Sequence, residues 1–309
     1  MDNLLLKAQN LSKYFTDSSG IQKAVDGVSL NIYKGETLGV VGESGSGKTT
    51  LGRTIMRLYK PEHGQIWFEE KEITRLNEGK LRPYRKDIQM IFQNPYESLS
   101  PRMTVGEILE EPLYIQKIGT KKERTDKALS MLEKVGLPRT SYNKRIHEFS
   151  GGQRQRIGIA RALMLDPKFI IADEPVSALD VSVQAQVLNL LKDLQTELDL
   201  TCLFISHDLG VVHYMSDRVA VMYLGHLIEL APKDELYRNP IHPYTKSLLS
   251  SIPIADPERR NAYREPIILP EKPLYPPQLI HVGNEHYVSA NMINIKEFEI
   301  NKDEKLMRI

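Results

Sequence analysis

Apolar residues alternate with polar ones, or cluster as β-branched runs, at residues 4–9, 28–33, 65–68 and 88–92, which predicts strands. Turns such as Tyr33-Lys34-Gly35-Glu36 separate them, and Thr37-Leu38-Gly39-Val40-Val41 is a further apolar run of strand length. From Thr104 to Leu165 the period becomes helical. Val105, Ile108 and Leu109 share one face, and Ala128, Met131, Leu132 and Val135 share another that Gly136 closes. This stretch reads as a helical insertion, at about 94–165, in a chain that is otherwise stranded up to it. Strand-like runs return at 169–172, 202–205 and 219–223, and a long amphipathic helix carrying Val187, Leu188, Leu191 and Leu194 lies among them. The alternation predicts an α/β fold with a largely parallel sheet flanked by helices. Beyond about residue 255 the period is lost and proline accumulates, as in Leu269-Pro270-Glu271-Lys272-Pro273-Leu274-Tyr275-Pro276-Pro277. That part reads as an appended tail, and no internal repeat is visible.

Composition narrows the class without choosing a function. The 309 residues suffice for one large domain or two modest ones, and 41% hydrophobic with 26% charged residues is ordinary globular usage rather than that of a disordered chain. The 41 basic and 40 acidic residues leave a net charge of +1, so no global field draws the chain to nucleic acid or anionic lipid. The one cysteine, Cys202, lies in an apolar run and reads as a small buried residue, which excludes intrachain disulfides and fits a reducing compartment. The first residues carry no basic region before their short apolar run, and no apolar stretch approaches membrane-spanning length. A soluble, cytoplasmic chain is the expectation.

The chemistry begins at Gly42-Glu43-Ser44-Gly45-Ser46-Gly47-Lys48-Thr49-Thr50, between the apolar run 37–41 and a helix-like segment from Leu51 to Leu58. This is a Walker A loop in its proper strand–loop–helix context. Glycines let successive N–H groups point into one concavity, and the dipole of the following helix favours an anion there. Lys48 would reach the β- and γ-phosphates of ATP, and the Thr49 hydroxyl would coordinate Mg²⁺. Phe169-Ile170-Ile171-Ala172-Asp173-Glu174 is an apolar strand ending in two acids, the form of a Walker B element. Asp173 would hold Mg²⁺ through its water shell, and Glu174 would polarise an attacking water. Ser150-Gly151-Gly152-Gln153-Arg154-Gln155-Arg156 is a second glycine-rich turn opening a helix, hence a second anion site, with a plain helix cap as its alternative.

With that turn the set resembles the ABC ATPases, in which the signature loop of one subunit caps the γ-phosphate held by the Walker A loop of another. The resemblance implies a P-loop NTPase with a RecA-like core sheet, an N-terminal antiparallel β subdomain, an inserted α-helical subdomain and a C-terminal tail. It further implies that Ser150, Gly151, Gly152 and Gln153 act on the partner's nucleotide. Gln93 corresponds to the Q-loop glutamine that senses Mg²⁺ and the attacking water, Asp180 of Ser177-Ala178-Leu179-Asp180 to the D-loop, and His207 to the switch histidine on the γ-phosphate. In Leu11-Ser12-Lys13-Tyr14-Phe15 the adenine-stacking aromatic is Phe15 by spacing, with Tyr14 as the alternative.

Four further segments, Ala24 to Leu30, Leu51 to Leu58, Asn94 to Glu107 and Asn239-Pro240-Ile241-His242-Pro243-Tyr244-Thr245-Lys246-Ser247-Leu248-Leu249, resemble bacterial oligopeptide or dipeptide importers, most closely the F-type of their two ATPase subunits. The resemblance covers about residues 4–255, taken as the ABC ATPase domain, with 256–309 as a family-type extension. It implies a heterodimer with a second ATPase subunit, two transmembrane permeases, an external peptide-binding protein and a peripheral place at the cytoplasmic face of the membrane, with no nucleic acid partner. Related ATPases serve importers of nickel or glycans, and soluble ABC ATPases serve DNA repair or translation, so these stand as alternatives. Many relatives carry a cysteine cluster after the His-Pro-Tyr-Thr segment, and in some it binds an iron–sulfur cluster. No cysteine follows Cys202 here and a cluster takes several thiolates, so none is expected. His281 and His286 read as surface histidines rather than metal ligands, and loss of the tail is expected to spare the nucleotide site.

Overall fold

The N-terminal alternation folds into a long antiparallel hairpin, β1 (Leu4–Asp17) and β2 (Gly20–Tyr33). Val28, Leu30 and Ile32 of β2 point inward and the residues between them do not, as a half-buried strand requires. β1 runs well past the expected end at residue 9. Register shifts after Ala8 and Leu11, with Asn10 at positive φ, are bulges that break the alternation while the pairing continues. The strand β3 (Thr37–Val41) is buried along its whole length and leads into α1 (Lys48–Ile55). Then β4 (His63–Phe68) and β5 (Lys71–Glu72) complete a four-stranded sheet in the order β2-β1-β4-β5. The computed structural model describes residues 3–18, 20–94, 99–251 and 278–289. It divides into one unit of Met1–Thr74 with Ile205–Ile309 and a second of Arg75–Phe204. Residues 95–98 of the importer-like segment and the proline-rich run 269–277 lie outside the described residues.

The second unit opens with α2 (Glu78–Asp87), which the periodicity does not foretell. Only Leu81 is buried and Pro83 sits inside it, so no apolar stripe marks it; Asn77 caps it by accepting from the Lys80 N–H. After β6 (Ile88–Ile91) come α3 (Val105–Ile115) and α4 (Lys121–Lys134), each opened by a Thr–Glu capping box, Thr104 with Glu107 and Thr120 with Glu123. The faces expected to be apolar are buried in both, and Gly136 ends the second at φ +72°. α5 (Gly151–Leu163), β7 (Phe169–Asp173), α6 (Val181–Glu197) and β8 (Thr201–Ile205) follow, with strand order β8-β7-β6 and β6 parallel to β7. β7 is buried end to end, as a parallel strand covered on both faces must be. Burial on β8 pushes the Cys202 thiol up to about 12.

The chain then returns to the first unit through α7 (Leu209–Met215), β9 (Arg218–Tyr223), β10 (His226–Pro232), α8 (Lys233–Arg238), α9 (Pro243–Ser250), β11 (Leu279–Gly283) and β12 (His286–Ser289). The sheet of this unit runs β11-β12-β10-β9-β3, parallel between β3 and β9 and antiparallel outward from β9. The parallel pairing expected is present between β3 and β9, and antiparallel strands are added beyond it because a two-residue turn at Leu224-Gly225 folds β10 straight back on β9. β10 escapes the hydrophobic pattern since His226 and Glu229, both fully buried, interrupt it. One correction concerns His286. It is no surface histidine: β12 pairs with β10 and the side chain is 2% exposed.

Candidate functional site

The loop between β3 and α1 is shaped by contacts that leave no room for side chains. Gly47 sits at φ +103°, and a Cβ there would lie 2.0 Å from the Ala24 carbonyl oxygen of β2. Gly42 approaches β9 as closely, with the Met222 carbonyl oxygen 2.3 Å from a would-be Cβ. The Gly225 N–H donates to the Ser46 carbonyl at 3.1 Å, so the β9–β10 turn buttresses the loop from outside. Lys48, 4% exposed, curls back over the loop and donates from Nζ to the carbonyls of Gly42 (2.7 Å) and Glu43 (2.8 Å). Ser46 Oγ is buried with no hydrogen-bond partner among the described residues. A concave run of backbone N–H groups, a helix N-terminus with no acidic residue in its first turn, an ammonium and a buried hydroxyl make a site for a polyanion. Glu43, Ser44 and Gly45 form its exposed rim, and Thr49 and Thr50 stand half-buried on the first turn of α1.

His207 belongs to the same unit. It is exposed in the turn after β8, which is held by the Ser206 N–H on the Val40 carbonyl (3.1 Å) and by the Asp208 N–H on Ser206 Oγ (3.0 Å). The bond to Val40 fixes this turn beside the end of β3, two residues before Gly42. The aromatic candidates separate by their bonding. Tyr14 donates its hydroxyl to Asp26 Oδ1 at 2.6 Å, and Lys23 donates to Oδ2 of the same carboxylate at 3.0 Å. Burial opposes ionisation of Asp26, yet these donors hold its carboxyl below the usual range. Phe15 presents an exposed ring, edge-on to Tyr59 at 5.5 Å with Lys13 Nζ 5.2 Å from its centroid. It pairs with Gln22 two positions before Ala24, where β2 touches the loop. Of the two, Phe15 has the ring free to stack.

In the second unit, the chain leaves β7 through a backbone outlier. Asp173 is fully buried at the strand end, and Glu174 follows at φ +45°, a left-handed conformation that costs an L-residue about 1 kcal/mol. Gln93 donates from Nε2 to Glu174 Oε2 (3.1 Å) and to Ser177 Oγ (3.2 Å), while Ser177 Oγ donates to the Glu174 carbonyl (3.2 Å). One side chain, Gln93, thus holds the Glu174 carboxylate, while Ser177 ties Gln93 to the Glu174 backbone. Ser177 was read only as part of the D-loop motif; its hydroxyl binds the backbone of the acid as well. Gln155 of α5 donates to the Phe92 carbonyl (3.4 Å) beside Gln93.

Ser150 caps α5, accepting from the Gln153 N–H, and the Gln153 side chain returns a bond to the Ser150 N–H (3.0 Å). The motif is therefore a helix cap; its first turn holds no acidic residue, and Ser150, Gly151 and Gln153 are exposed, so the helix dipole there would favour an anion. Gly152 is buried, and a Cβ on it would meet Val183 Cγ1 of α6 at 2.3 Å, so the glycine sets how closely α5 and α6 pack. Asp180, exposed before α6, follows a turn held by Gln184 Nε2 on the carbonyls of Val176 and Leu179 (both 3.0 Å). Val181 beside it is 82% exposed. Sequence reasoning missed one contact of the first unit: the Tyr244 hydroxyl accepts the Glu43 N–H at 2.9 Å. Its only signal was its place in the restricted His-Pro-Tyr-Thr segment.

Comparisons with known proteins give the family. Residues 25–177 match the family model described as ABC transporter, and residues 228–275 match the one described as oligopeptide/dipeptide transporter, C-terminal region. The chain is 58% identical over 268 residues to the oligopeptide transport ATP-binding protein OppF of Bacillus subtilis, covering 86% of this chain and 88% of that one. A putative peptide import ATP-binding protein of Brucella ovis is 57% identical over 256 residues, covering 83% and 81%. Among solved structures, the ATP-binding cassette MJ0796, in a dimeric post-hydrolysis state bound to ADP and Pi, aligns with a TM-score of 0.68 and 32% identity over 74% of this chain and 99% of that one. The cbiO1 protein of Clostridium perfringens, part of an ABC transporter complex, gives 0.68 and 28% over 77% and 92%. The chain belongs to the ABC transporter ATPases, in the oligopeptide/dipeptide branch of that family.

Proposed function

We propose that this chain binds ATP on the Gly42–Thr50 loop, hydrolyses it, and couples the cycle to import of oligopeptides or dipeptides. The observation that supports the catalytic part is the bond from Gln93 Nε2 to the Glu174 carboxylate directly after Asp173, with Ser177 bracing Gln93 and the Glu174 backbone, an arrangement suited to orienting a water. Lys48 would exchange its loop carbonyls for phosphate oxygens, Ser46 would gain the partner its hydroxyl lacks, and Phe15 would stack on adenine. His207 would meet the γ-phosphate. Each unit brings oxygen donors of the hard type that Mg²⁺ takes: the Thr49 hydroxyl in one, and the Asp173 carboxylate and Gln93 amide in the other. Since Gln93 Nε2 is engaged by Glu174 and Ser177, any cation contact from it falls to Oε1. When bound, Mg²⁺ would offset charge on the phosphates.

Water attacking the γ-phosphorus gives ADP and phosphate, with Glu174 orienting the water and receiving its proton. The exposed edge formed by Ser150, Gly151, Gln153, Asp180 and Val181 is suited to cap the nucleotide of a second ATPase subunit. ATP would then favour the closed dimer because it touches both subunits only there. Among the described residues no helix is long and apolar enough to cross a membrane, so two permeases would supply the path and an external binding protein the peptide. The chain would sit peripherally at the cytoplasmic face, with a different ATPase subunit as its partner. The test is uptake of a labelled oligopeptide by cells lacking the gene and complemented with wild type or Glu174→Gln. Uptake restored by wild type and not by the variant supports the reading; equal uptake by both overturns it.

A further inference from the structure

The C-terminal part of the first unit contains a buried polar cluster with no place in the mechanism above. Glu229 of β10, 0% exposed, accepts the N–H groups of Ile241 (Oε1, 2.8 Å) and His242 (Oε2, 3.1 Å) and a bond from His286 Nε2 (Oε1, 2.7 Å). One carboxylate thereby ties β10, the turn before α9 and the hairpin of β11 and β12. An isolated buried carboxylate would be expensive, so these donors make the arrangement of the three segments mutually dependent. The turn is further set by His242, whose Nδ1 accepts the Tyr244 N–H at 3.1 Å as the cap of α9. Tyr244, buried, packs its ring against Tyr223 at a centroid distance of 4.2 Å. Its hydroxyl is the group that accepts the Glu43 N–H.

The Glu43 N–H and the Gly42 carbonyl belong to the same planar peptide unit. That unit is gripped at both ends, by Tyr244 on the N–H and by Lys48 on the carbonyl. A nucleotide drawing Lys48 away leaves Tyr244 as the tether that keeps the peptide from rotating. We propose that Tyr244 is a positioning residue of the phosphate-binding loop, and that the His286–Glu229–His242 cluster holds it there, so the C-terminal hairpin sets ATP affinity. The inference rests on the reading that the loop holds the phosphates of ATP. It reverses the expectation that the tail is dispensable for the nucleotide site.

The test measures the ATP dissociation constant and thermal midpoint of the full-length chain, and KM and kcat for ATP in the assembled transporter. Tyr244→Phe removes the hydroxyl and keeps the ring. It is expected to raise the dissociation constant and KM about threefold to tenfold, the scale of one hydrogen bond, with kcat and the midpoint near wild type. His286→Ala is expected to shift affinity in the same direction, and His286→Gln, which can still donate to Glu229, to restore it. Lys48→Ala, expected to lose ATP binding, separates the two readings. If Lys48→Ala loses binding while Tyr244→Phe matches wild type, the positioning role is overturned and the loop assignment stands. If Lys48→Ala binds as wild type does, the loop assignment falls and the inference with it. His286→Ala that stays folded at wild-type affinity overturns the role of the hairpin.

Discussion

Gln93 Nε2 lies 3.1 Å from Glu174 Oε2, joining the second residue after β6 to the first residue after β7, two strands that run parallel side by side. The bond aims the carboxylate, and its shape would survive an isosteric amide. Glu174→Gln is therefore expected to retain ATP binding and lose at least about 100-fold in turnover, the contribution of a positioned base. Phosphate release from the assembled transporter measures the loss, and size-exclusion with ATP should show the dimer accumulating. Turnover at the wild-type rate would remove Glu174 from the mechanism.

His207 is exposed in a turn that the Ser206 N–H and the Asp208 N–H help to hold. His207→Ala is expected to slow hydrolysis by more than it raises the ATP dissociation constant, with the thermal midpoint unchanged. Joint loss of affinity and stability would instead mark a structural histidine.

Gly152→Ala is expected to destabilise the second unit by ~1–3 kcal/mol, because its Cβ meets Val183 Cγ1 at 2.3 Å and a β-branched side chain on a helix has few rotamers to yield. Val183→Ala combined with it should recover most of the loss in urea unfolding. Additive losses in the double variant would contradict the packing argument.

Burial lowers the pKa of His242 to about 4, and the nearby Glu229 opposes that shift without cancelling it. Below pH 6.5 the unfolded chain takes up a proton at this side chain that the folded chain refuses until about pH 4. Stability is accordingly present above pH 6.5 and falls between 6.5 and 4, by on the order of 3 kcal/mol from this group. His242→Asn keeps a capping acceptor and does not titrate, so its stability should fall less over that window. Parallel curves for the two proteins would refute the assignment.

What the sequence determined by itself was whatever is settled within a few residues. The turn between β3 and α1 was legible because its glycines and the helix start follow one another along the chain, and α4 because Ala128, Met131, Leu132 and Val135 share a face. The motifs at Asp173, Ser150 and His207 were legible for the same reason, each being a turn at the end of one element. Tertiary structure decided the rest. α2 carries almost no apolar stripe, and β10 hides its buried run behind His226 and Glu229, whose tolerance depends on Asp26, Ile241, His242 and His286 arriving from elsewhere. Glu43 and Tyr244 stand 201 residues apart, and nothing in the local pattern of either announces their bond. A buried polar group must find its partner wherever the fold delivers one, whereas periodicity and backbone preference are properties of neighbours.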